Sequence, residues 1–151
     1  MTRFTRRDIF ALGSAFALTS ALPAGASPVR IAVDSEGVAI DGYDTTAYWT
    51  SGAPAEGQTD HVVNWAGVPW RFGSAEDAEK FAATPDAFAP QFGGFCTRAM
   101  SFKKVVNGDP EVWRLYGDKL YLFAQPVGGT KFDEGQDTMI EKAQKFWDTL
   151  T

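Results

Sequence analysis

Cysteine, histidine and long apolar runs are nearly missing from this chain of 151 residues, which has one Cys and one His. A lone cysteine, Cys96, cannot form an internal disulfide, and counting alone excludes a thiolate-rich zinc site. The single histidine, His61, is the only candidate base for any thiol chemistry. The main apolar segment, residues 9–22, is shorter than the roughly 20 residues a bilayer requires, so no stable membrane anchor is expected. Positive charge is scarce too: 14 Lys and Arg face 19 Asp and Glu, for a formal net charge of -5. That balance disfavours nucleic-acid backbones and anionic membrane surfaces, both of which call for clustered cations.

What positive charge there is begins at the N-terminus. Thr5-Arg6-Arg7-Asp8-Ile9-Phe10 precedes the apolar segment, and Ala24-Gly25-Ala26 has the small-x-small form of a signal-peptidase site. The paired arginines mark a twin-arginine export signal, with cleavage expected after Ala26 and a periplasmic destination. Residues 27–151 then form one domain by size. The leader carries Arg3, Arg6, Arg7 and Asp8, so the net charge falls from -5 to -7 on its removal.

Along the mature chain the pattern is α+β. Residues 30–33 and 37–40 read as short strands around an Asp34-Ser35-Glu36 turn. Asp44 or Thr45 can cap a short helix carrying Tyr48. Residues 61–65 and 68–72 flank Ala66-Gly67 as a hairpin, and residues 112–116 and 119–123 flank Gly117-Asp118 as a second. Ser74 with Asp77 resembles a capping box, predicting a helix over residues 75–82 that ends at Thr84-Pro85. Residues 98–102 continue as a helix, residues 125–135 read as irregular, and residues 138–150 form an amphipathic C-terminal helix. No internal repeat is visible in the residues.

Chemistry concentrates at Pro90-Gln91-Phe92-Gly93-Gly94-Phe95-Cys96-Thr97-Arg98-Ala99-Met100. Cys96 and Met100 sit one helical turn apart, and a thiolate with a thioether suits Cu(I), with His61 as a third ligand. The same Cys96 could act as a nucleophile with its pKa lowered by Arg98, or simply be a small buried hydrophobe beside a gap-filling Met100. Asp41, Tyr43, Asp44 and Tyr48 form an acidic, phenolic group whose plainest role is helix capping and loop bonding.

Three stretches together resemble the secreted YHS-domain family. They are Asp41-Gly42-Tyr43-Asp44-Thr45-Thr46-Ala47-Tyr48-Trp49, the hairpin and helix of residues 62–85, and the glycine turn of residues 90–101. The resemblance implies a small α+β core related to metal-sensing modules of the TRASH type, with metal handling and no established catalysis. The chain departs from the family at Thr45, which stands where relatives show Pro, and at Phe92 and Phe95, which stand where they show Tyr. Thr97-Arg98 replaces a small residue and a Tyr. The pairing of the DGYD and GGFC motifs motivates one pocket that binds a metal ion or small ligand, with Cys96 at its base. Tyr43, Asp44, Tyr48, Phe95 and Arg98 would contact the ligand; Cys96, Met100 and His61 would hold a metal such as copper. The competing readings are a protein-interaction domain using exposed aromatics such as Trp49 or Trp70, and a thiol-dependent enzyme.

Overall fold

Glycine and short polar residues break this chain into brief elements, and the computed structural model describes them over residues 30–151. The segment expected from the sequence to be an export signal, with its expected cleavage site, lies outside the described residues. Two antiparallel hairpins, β1 (Gln58–Trp65) with β2 (Val68–Phe72) and β3 (Asp109–Tyr116) with β4 (Lys119–Phe123), stand among six helices. The helices are α1 (Ala47–Thr50), α2 (Ala75–Ala83), α3 (Pro85–Phe88), α4 (Thr97–Ser101), α5 (Pro126–Asp133) and α6 (Gln136–Trp147). The protein is α+β. No helix among the described residues is long and apolar enough to cross a membrane.

Local chemistry accounts for the hairpins and for the start of α2. Ala66 and Gly67, like Gly117 and Asp118, all have positive φ, the geometry of a two-residue turn whose twist matches the flanking strands. Ser74 Oγ accepts from the Asp77 backbone N–H at 3.1 Å and its hydroxyl donates to Asp77 Oδ2 at 2.8 Å, which closes the first turn of α2. The residues expected to be irregular before α6 are instead the helix α5. Its sequence, Val127-Gly128-Gly129-Thr130, has poor helix propensity, but packing overrides it. A Cβ at Gly128 would meet the Phe123 side chain at 2.9 Å, and one at Gly129 would meet the Arg114 guanidinium at 3.0 Å. The glycines let this helix lie directly on the second hairpin.

The structure contains an internal repeat that the residues conceal. Every pairing of the first hairpin recurs 51 positions later: Gln58 with Phe72 becomes Asp109 with Phe123, and Val62 with Arg71 becomes Trp113 with Leu122, the bulge included. Upstream the correspondence continues with one residue more of offset. A left-handed turn, Ile40-Asp41-Gly42 or Phe92-Gly93-Gly94, leads to a bridge residue, Tyr43 or Phe95. A buried residue follows, Asp44 or Cys96, whose N–H donates to the carbonyl of Ala55 or Val106. Then come a fully buried threonine, Thr45 or Thr97, and a short helix, α1 or α4. The loop between short helix and hairpin is one residue shorter in the second copy. Few identities survive, which is why the repeat escapes a reading by residue.

Each unit builds its own core from the same positions. In the first, Trp65, Trp70 and Phe72 surround Phe81, with ring centroids 4.9–5.7 Å from it. In the second, Tyr116, Tyr121 and Phe123 surround Phe132 at 5.2–5.9 Å. Such pairs contribute about 0.5–1.5 kcal/mol each beyond their area. Trp70, considered above as an exposed anchor, lies in the first core at 1% exposure. β-Strand propensity alone cannot tell the buried face of a hairpin from the open one.

Candidate functional site

The two sequence motifs occupy equivalent places in the two units, and they meet as backbone packed on side chain. A Cβ on Gly94 would collide with Ile40 Cδ1, and one on Gly93 would collide with the Arg30 carbonyl oxygen. Both glycines also have positive φ, 62° at Gly93 and 86° at Gly94, so conformation and space demand the same residue. Ala32 N donates to Gly93 O at 2.8 Å, which locks the N-terminal segment onto this turn.

Asp44 is a structural tie. Its Oδ1 accepts from Thr46 N at 2.8 Å and from the Thr46 hydroxyl at 2.7 Å, while Oδ2 accepts from Gly73 N at 2.8 Å. One buried carboxylate thus holds α1 to the segment that starts α2. Tyr48 is buried against Trp113, with centroids 5.1 Å apart, and its hydroxyl donates to Pro110 O at 2.7 Å. Burial, ahead of the nearby Tyr43 and acidic groups, pushes its hydroxyl well above the ordinary phenol value, so it stays a donor. Tyr43 is half-buried and donates to Glu111 Oε1 at 3.0 Å. The DGYD motif therefore fastens the first unit to the beginning of β3.

Cys96 holds the place of Asp44 in the second unit, and a sulfur does the capping. Its Sγ accepts from Ala99 N at 3.4 Å at the start of α4. Met100, the counterpart of Tyr48, is fully buried in the same cluster as Cys96, Phe92, Tyr121, Phe123 and Phe132. Phe95 is half-buried on Trp147, with centroids 6.4 Å apart. His61 lies on β1, which packs against β2 and α2, whereas α4 packs against α6, β4 and α5. Among the described residues no group of three or more His, Cys, Asp or Glu is placed to hold a metal ion.

Open space lies around α4. A small pocket of about 220 Å³ has Cys96 and Arg98 in its wall together with Lys104, Val106 and Val127. A larger cleft of about 1080 Å³, also lined by Arg98, opens between α4, the end of α5, and α6. The Arg98 guanidinium lies 5.3 Å from the centroid of Phe102, and this stacked pair lines both spaces. Phe102 is 63% exposed, an unusual state for a phenylalanine beside a cleft. Neither space is lined by Tyr43, Asp44 or Tyr48. Of the residues singled out in the sequence, Cys96 and Arg98 share a pocket wall, Cys96 and Met100 share a buried cluster, and His61 lies on β1 with neither.

Sequence reasoning missed Lys103, Met139, Lys142 and Phe146, which line the larger cleft. The one available signal was the Arg98-Ser101-Phe102-Lys103 run itself, cationic and aromatic at helical spacing. The partners from α6 carry no motif. In comparisons with known proteins, no family model, no curated protein and no solved structure matches this chain.

Proposed function

We propose that this chain is an exported, YHS-like domain that binds a small organic ligand on the second unit, in the cleft bounded by α4 and α6. The observation that carries this reading is the cleft itself. Its volume of about 1080 Å³ lies at the upper end of ligand sites, which are concave, mostly apolar and few per protein. Phe102, Met139 and Phe146 supply its apolar surface, and Arg98 brings a directional donor to its edge. The reading keeps the sequence-derived role of Arg98 and moves the ligand away from the DGYD motif, whose polar atoms already have protein partners.

The chemistry is binding. Cys96 and Met100 belong to a buried, largely aromatic cluster, the place of a small hydrophobe and a gap-filler. The test is mass spectrometry under non-denaturing conditions on protein purified after native export, with elemental analysis of the same sample. A bound organic mass that disappears on denaturation is the expected result. No organic mass, together with stoichiometric copper lost in Cys96→Ala, would overturn the reading in favour of metal handling.

A further inference from the structure

The internal repeat explains why the cleft exists. In the first unit, Trp49 on α1 packs edge-on against Phe88 of α3, with centroids 5.5 Å apart. Their counterparts in the second unit are Ser101 and Met139, and both line the cleft. An indole has been replaced by a hydroxymethyl group and a ring by a flexible thioether. The space that the first unit fills with its own side chain is left open in the second.

The charge around that space is as uneven as its filling. Five of the eleven Lys and Arg residues that follow the leader line the cleft, against one of the eighteen Asp and Glu residues. Lys131 is paired with that one acid, Glu134, at 2.8 Å, and Lys145 with Glu141. Arg98, Lys103 and Lys142 take part in no ion pair among the described residues. In a protein of net charge -7 without its leader, three uncompensated cations around an apolar floor are a local inversion of sign. Their field favours an anion there, and it is screened by salt because Lys103 and Lys142 are exposed.

From the vacated indole position and the inverted charge together, we infer that the cleft takes a free amphipathic anion: an apolar chain bearing one carboxylate-type head group. The chain lies on Phe102, Met139 and Phe146, and the head is held by Lys103, Lys142 and Arg98. This inference rests on the small-ligand reading above and specifies its ligand class.

The experiment is calorimetric titration with decanoate below its micelle concentration, beside decanol and decyltrimethylammonium as neutral and cationic chains of equal length. Decanoate is expected to bind best, with affinity falling as salt rises and roughly tenfold weaker in a Lys103→Ala, Lys142→Ala double variant, as charge-assisted contacts are removed. Both lysines are exposed, so that variant keeps its fold. Ser101→Trp, which restores the residue of the first unit, is expected to abolish binding while circular dichroism stays unchanged. Equal affinity for the neutral or cationic chain would overturn the ligand class and leave the small-ligand reading standing. No binding of any chain would overturn both. Capture of the protein by anionic vesicles with no affinity for decanoate would overturn the free ligand in favour of a membrane surface.

Discussion

The two units are built on one plan and have diverged in how they complete it. The first closes itself: Asp44 ties three donors, Trp49 fills the space beside Phe88, and Ser74 caps α2. The second leaves each of those tasks looser: Cys96 receives one long N–H contact, Ser101 fills little, and Gln125 makes no side-chain cap on α5. One copy is closed by its own side chains, and the other keeps an open cleft, the place proposed for a ligand. Stability can be concentrated in one half of such a molecule while the other half keeps open surface.

The sharpest way to break this comparison is at the joint between the units. Gly94→Ala places a methyl group into Ile40 at a backbone φ of 86°, so overpacking and strain act together. A loss of about 3–5 kcal/mol in chemical denaturation is expected. A loss under about 1 kcal/mol would mean that the units do not depend on this contact.

Next in size is the exchange of roles between Asp44 and Cys96. Asp44→Ala leaves one buried and one half-buried backbone N–H group and a buried hydroxyl without their acceptor and should cost about 2–4 kcal/mol. Cys96→Ala removes one weak cap and a small buried sulfur, for about 1–2 kcal/mol. Denaturant midpoints of the two variants, measured side by side, decide the order. Equal losses would contradict the assignment of Asp44 as the tighter tie.

A smaller effect distinguishes the helix starts. Ser74→Ala should lower stability by about 1 kcal/mol, whereas Gln125→Ser, which supplies the missing cap at extended backbone angles, should raise it by about 0.5 kcal/mol. Thermal unfolding monitored by circular dichroism reads both.

The smallest effect lies in the left-handed turns. Asp41 has φ 49° where the second unit has Gly93, and burial, then Asp34 and Asp109, hold its carboxyl above the ordinary range. Because its folded-state pKa is raised, the fold carries a penalty at neutral pH that fades as pH falls through the folded-state value and is gone below the unfolded one. Asp41→Asn should therefore be slightly more stable than the parent at pH 7 and equal to it near pH 3, in paired melts. Asn tolerates the left-handed angles, so the backbone contributes little to the difference.

Much of the scaffold could be read from the residues. The two hairpins followed from Ala66-Gly67 and Gly117-Asp118, the start of α2 from Ser74 with Asp77, and the break after it from Thr84-Pro85. α5 was illegible because Gly128-Gly129 signals a loop in isolation and becomes a helix only against Phe123 and Arg114. The site was legible in part. Arg98 and Cys96 stood out as chemistry-bearing residues, whereas the cleft beside them depends on Ser101 being small where Trp49 is large. That comparison needs the repeat, and the repeat is recorded in backbone pairing and burial far more than in residue identity.

The central claim, that the second unit is open where the first is filled, is most directly tested by following backbone amide shifts during a decanoate titration of the isotope-labelled protein. The account predicts saturable shifts confined to α4, the end of α5, and α6, with α1 to α3 unmoved. Saturable shifts centred on Trp49 and Phe88, or on the DGYD turn, would contradict it.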